Sequence, residues 1–156
     1  MGKERLRLSF GLALIAVLTA CSTPGIVILE DPLTAREHVD LGLSYELQGR
    51  MDLAEREYLK AAGKERDWSV PYFNLGNVAY SNGDLAAAEK HYSRALERDP
   101  KNPDIMNNLA TVLHEQGMDA RARALIEQAL GIRHRQEYLD TLRRIEAGLE
   151  HEGADP

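Results

Sequence analysis

A chain of 156 residues with 25 acidic against 19 basic side chains, net −6, holds one modest domain and lacks the basic footprint a nucleic-acid partner needs. Apolar residues make up 44% and aromatics only 6%, which suits helices packed on Leu and Ala rather than a sandwich of bulky strands. The single cysteine excludes an internal disulfide.

The chain opens with Lys3, Arg5 and Arg7, then runs uncharged and mostly apolar from Leu8 to Ala20. That is a signal-peptide length, and it falls short of the roughly 20 residues a membrane-spanning helix needs. The stretch ends Leu18-Thr19-Ala20-Cys21, which resembles a bacterial lipobox. The resemblance implies that residues 1–20 are a signal peptide cut before Cys21. It also implies that the Cys21 thiol receives a diacylglycerol and the new amino group an acyl chain. One acyl chain binds a membrane only marginally, at about 0.8 kcal/mol per buried CH2, whereas two or more anchor stably. An ordinary secretory signal is the first alternative, but it wants small residues on both sides of Thr19 in the cut site, and Leu18 is large. An uncleaved anchor or a core helix is the second. By resemblance to Gram-negative lipoproteins, Ser22 after the cysteine implies the outer membrane, with the body facing the periplasm. Without residues 1–20, which carry +2, the remainder stands at −8.

Residues 21–33 read as the lipidated cysteine and a tether, because Pro24, Gly25 and Pro32 oppose a helix. The apolar run Ile26-Val27-Ile28-Leu29 is expected to cover the apolar ends of the first helices; resting near lipid or staying loose are the alternatives.

Helical patterning begins at Thr34. Thr34-Ala35-Arg36-Glu37 is a capping box. From Ala35 a period of 34 residues holds three times without insertion, over 35–68, 69–102 and 103–136. Leu41-Gly42, Leu75-Gly76 and Leu109-Ala110 fall in register. So do the turn glycines Gly49, Gly83 and Gly117, and the small residues Ala54, Ala88 and Ala122. Tyr58, Tyr92 and Ile126 follow four later, then Ala61, Ala95 and Ala129. Gly or Ala is needed where two helices cross closely, and a bulky side chain fills the gap beside it. Asn102 and Pro103 open the third copy as cap and first helical residue. Trp68 is expected at a hairpin junction. Residues 137–150 place Tyr138, Leu142, Ile145 and Leu149 at helical spacing, an amphipathic cap followed by a tail, 151–156; Gly148 and the end Gly153-Ala154-Asp155-Pro156 are expected to fray.

The order Tyr72, Leu75-Gly76, Ala88, Tyr92, Ala95 and Pro100 resembles a tetratricopeptide repeat. The outer copies depart from it: His38 and Met106 stand at the Tyr72 position, and Arg66 and His134 at that of Pro100. The resemblance implies an all-α solenoid of three helix-turn-helix repeats plus a C-terminal capping helix. Such repeats stack right-handed, with a concave face lined by the first helix of each pair.

In peptide-binding members of that family the inner face carries fixed positions of each repeat. Here these are Val70, Phe73, Asn74, Asn77 and Tyr80, then Asp104, Asn107, Asn108, Thr111 and His114. Asn77 and Asn108 match the asparagine pair with which chaperone-binding members hold a peptide backbone. An amide supplies both donor and acceptor, so it bridges an extended chain without reading side chains. The lysines and arginine of that clamp are absent; Phe73, Tyr138 and Leu142 occupy their places. A free carboxylate is therefore not the expected ligand. A segment with apolar side chains, bound at Phe73, Asn74, Asn77, Tyr80, Asn107, Asn108 and Thr111, fits better.

Nothing in the pattern points to catalysis, a metal or a cofactor. His38, His91, His114, His134 and His151 lack ligand spacing and read as surface or junction residues. The expected protein is a lipid-anchored adaptor for a protein or peptide partner in pilus or secretin assembly, wall-hydrolase recruitment or export. The alternatives are an accessory module that positions a peptidase or secretion enzyme, and a self-associating structural protein.

Overall fold

The computed structural model describes residues 31–152, with side chains through residue 149. The expected signal peptide, Cys21 and the tether through residue 30 lie outside the described residues, as does the tail from residue 153. The described residues form seven α-helices and no strand: α1 Ala35–Leu47, α2 Met51–Lys64, α3 Ser69–Ser81, α4 Leu85–Arg98, α5 Pro103–Glu115, α6 Asp119–Ile132 and α7 Gln136–Glu152. Each helix packs on the next in the chain, and α7 also touches α5.

Local chemistry sets the helix ends. The Glu37 amide donates to Thr34 Oγ1 at 3.2 Å, and the Thr34 amide donates back to Glu37 Oε2 at 2.7 Å. Asn102 Oδ1 accepts from the amides of Asp104 and Ile105 at 3.1 and 3.3 Å, with Pro103 in the first turn. Gly49, Gly83 and Gly117 close the three hairpins with φ of 72°, 75° and 74°. A side chain added at any of them would meet nothing within 4 Å, so the requirement is the left-handed backbone and not space.

The crossing positions work by contact. A Cβ built on Gly42 would enter the Tyr58 ring, and one on Gly76 would enter the Tyr92 ring. The third pair solves the same crossing with Ala110 and Ile126, both fully buried. Behind each crossing lie fully buried alanines: Ala54 and Ala61, Ala88 and Ala95, Ala122 and Ala129. Trp68 is partly buried beside α1 and α2, with the Arg36 guanidinium 6.0 Å from its ring centre.

Two expectations need correction. His38 is no surface histidine. It is fully buried at the Tyr72 position, and its Nδ1 lies 2.7 Å from Glu57 Oε2. An imidazole fills a ring-sized space there while finding a polar partner on α2. Nor does α7 fray at Gly148. The helix runs past the expected 137–150 limits to Glu152. A Cβ on Gly148 would come within 2.5 Å of Asp119 Oδ2 and 3.1 Å of His114 Cε1. His114 Nδ1 and Asp119 Oδ1 are themselves 2.5 Å apart, so glycine lets α7 lie directly over this pair.

The Glu57 carboxylate has a consequence for acid stability. Burial pushes its pKa up, but hydrogen bonds from Lys60 and His38 and their charges outweigh this, so it lies below the ordinary 4.5. A carboxyl depressed on folding stabilises the protein above its unfolded value, and that contribution disappears as pH falls through the folded value. Wild-type stability should therefore decline as pH drops from 4.5. Glu57→Gln should flatten that part of the curve, read by urea unfolding at stepped pH.

Candidate functional site

The first helices α1, α3 and α5 place equivalent residues 34 apart on one face. Leu43, Asn77 and Thr111 form one such row, and Leu47, Ser81 and Glu115 another. Leu43 and Leu47, one turn apart on α1, are 42% and 91% exposed. Between α3 and α5 lies a hollow of about 230 Å³ lined by Asn77, Tyr80, Ser81, Tyr92, Asn108 and Thr111.

Its floor is a chain of side-chain hydrogen bonds. The Tyr92 hydroxyl donates to Asn77 Oδ1 at 2.7 Å, and Asn108 Nδ2 donates to the same oxygen at 3.2 Å. Asn107 Nδ2 donates to Asn108 Oδ1 at 3.3 Å, and Thr111 Oγ1 to the Asn107 carbonyl at 3.0 Å. At the rim, the Tyr80 hydroxyl donates to Glu115 Oε1 at 2.5 Å. Burial pushes the Tyr92 phenol up to about 12, against a smaller opposing effect of the neighbouring Asn108 amide. The Glu115 hydrogen bond, burial and the Glu115 charge raise that of Tyr80. Both phenols therefore stay neutral donors near neutral pH.

Four residues expected from the sequence thus meet at one hollow: Asn77, Tyr80, Asn108 and Thr111. Three do not present themselves as foreseen. Asn74 and Asn107 are 7% and 5% exposed, because both turn into the packing between helices. Phe73 lies toward the other end of α3, in a separate hollow with Ser69, Val70, Asn102, Asp104 and Ile105, its ring centre 5.9 Å from that of Tyr92. Asp104 is engaged from the C-terminal side. Arg135 Nη1 reaches it at 3.0 Å, Arg133 Nη1 at 3.4 Å, and the Tyr138 hydroxyl donates to it as well. His114 turns to Asp119.

Two contributions went unseen in the sequence. Tyr92 reads as filler behind Gly76, yet its hydroxyl anchors Asn77. The signal was available in the register, since the positions of Tyr92 and Asn77 hold Tyr58 and Leu43 in the first copy, and Leu43 cannot accept. The second is the carboxylate rim. Glu115 bonds Tyr80, and the Glu46 charge acts on both Tyr58 and Tyr92. Among the described residues no group of three or more His, Cys, Asp or Glu is placed to hold a metal ion, and no helix is long and apolar enough to cross a membrane.

Residues 73–136 match the tetratricopeptide repeat family model. The fold is that of the tetratricopeptide repeat. The first tetratricopeptide-repeat domain of human RPAP3 superposes with a TM-score of 0.74 at 20% identity, covering 80% of this chain and all of that one. The first such domain of Spaghetti (RPAP3), bound to the HSP90 peptide SRMEEVD, gives 0.73 at 20% identity over 77% of this chain and 96% of that one. The photosystem I assembly protein Ycf3 of Cyanophora paradoxa is 33% identical over 91 residues, 56% of this chain and 53% of its own length. The chain spans about half the length of the curated relatives it matches.

Proposed function

We propose that this chain is a non-catalytic adaptor in which three tetratricopeptide units and a capping helix, α7, hold a segment of another protein. The anchor is lipid on Cys21, and the setting is the periplasmic side of a bacterial outer membrane. The observation that carries the docking role is the amide pair Asn77–Asn108. It bridges α3 and α5 at the floor of an open hollow, and Asn77 Nδ2 donates to nothing among the described residues. Those free amide protons can take a carbonyl of an extended chain. The Spaghetti domain's bound peptide and the assembly role in the Ycf3 name support a partner-holding function.

The ligand differs from the acidic peptide of that complex. The places of the clamp cations hold Phe73, packed against Tyr92, and Tyr138, fully buried. On α1, at the register positions of Asn77 and Ser81, the exposed Leu43 and Leu47 offer an apolar landing for side chains. Combining Asn77→Ala with Asn108→Ala should weaken partner binding by about 1–3 kcal/mol while leaving the thermal melt cooperative. Crosslinking in the native envelope, followed by mass spectrometry, supplies the partner for that titration. Unchanged affinity would move the docking surface elsewhere. Recovery of the chain crosslinked only to itself would favour the self-associating alternative.

A further inference from the structure

The hydrogen bonds on the inner face converge on Asn77 and leave an unmet need at the far end. Tyr92 donates to Asn77, Asn108 donates to Asn77, and Asn107 donates to Asn108. Asn107 Oδ1 is then left buried without a hydrogen-bond partner, on a residue 5% exposed. Such an acceptor is costly inside a protein unless a donor arrives.

Asn107 lies on the wall of a second hollow, of about 520 Å³, between α5 and α7. Its other lining includes Asn108, Thr111, Glu137, Asp140 and Arg144. Glu137 has no ion-pair partner among the described residues. Asp140 Oδ1 takes Arg143 Nη1 at 2.6 Å and Gln136 Nε2 at 3.0 Å, both exposed. Arg144, also in the lining, pairs with Glu115 at 3.8 Å. The hollow therefore combines a buried acceptor with two exposed carboxylates in its lining, of which, among the described residues, Asp140 is paired and Glu137 is not. A group that satisfies both is a cationic donor on a long stem. Lysine brings three donors and arginine five. An acidic side chain would face Glu137 and Asp140 and bring nothing to Asn107.

We infer that the α5–α7 hollow is a specificity pocket for a lysine or arginine side chain of the docked segment. The inference rests on that segment lying across α3 and α5 as proposed above. Packed helices stand about 8–10 Å apart and an extended chain advances about 3.3 Å per residue. The basic side chain thus falls about three residues beyond the backbone held at Asn77.

The test uses the full chain and a random dodecapeptide phage library, with synthetic copies of the selected peptides titrated by fluorescence anisotropy. Selected peptides should carry a Lys or Arg. Glu137→Gln with Asp140→Asn should weaken them about tenfold, as expected for loss of charge-assisted hydrogen bonds. Norleucine in place of the peptide's basic residue should lose the same factor, and the two losses should not add. Peptides that depend on Asn77 and Asn108 but ignore the Glu137/Asp140 pair would overturn the pocket and leave the docking face standing. Peptides that ignore Asn77 and Asn108 would overturn the docking face and the pocket with it, and so would a library that yields no binder.

Discussion

Replacing Gly76 with leucine is expected to destabilise the protein by about 2–3 kcal/mol and lower its melting temperature by about 10 °C. Even the first carbon of a side chain would enter the Tyr92 ring. Tyr92 cannot step aside, since it is 1% exposed, packed on Phe73 and tied by its hydroxyl to Asn77. The strain must then separate α3 from α4, and this opens the hollow as well as the core. The third helix pair supplies the control, because Ala110 and Ile126 meet at the same register position. Gly76→Ala alone should destabilise. Adding Tyr92→Ile, which rebuilds the Ala110–Ile126 combination, should recover part of the loss despite the missing hydroxyl. A Gly76→Leu protein that melts with the wild type, by circular dichroism, would overturn this account of the crossing.

Replacing Cys21 with serine is expected to abolish incorporation of radiolabelled fatty acid and to release the chain from the membrane fraction. The reason is chemical: the thioether to diacylglycerol needs the thiol, and a serine hydroxyl is a far weaker nucleophile. The reason for release is quantitative. At about 0.8 kcal/mol per buried CH2, several acyl chains hold a protein to a leaflet, and a protein without them has no comparable hold. Labelling that persists in the Cys21→Ser protein would remove the lipid anchor from the proposed function. The binding titration with Asn77→Ala and Asn108→Ala does not depend on that outcome, so the anchor and the docking face are tested separately.

Much of the fold was legible because it is written in small residues. Gly42 and Gly76 are identified by their spacing, and the structure shows why: the partner ring already fills the Cβ position. Gly49, Gly83 and Gly117 were legible for a backbone reason, as all three take positive φ. His38 and Gly148 were misread, each for a physical cause. A histidine looks polar in sequence, but His38 fills a ring-sized space once Glu57 is placed beside it. A glycine near a chain end looks like a frayed turn until a neighbouring pair, here His114 and Asp119, comes within van der Waals reach.

By itself the sequence determined the helices, their turns and the small-to-large crossings between them, since a 34-residue period constrains backbone geometry and the contacts that repeat with it. Only the tertiary structure decided what the inward polar groups do. It turned Asn74 and Asn107 into the packing, joined Asn77 to Asn108 and Tyr92, and left one acceptor on Asn107 unmet. Those outcomes depend on distances of a few ångströms between side chains on different helices. Hydrogen bonds are made or lost over such distances, and no spacing along the chain encodes them.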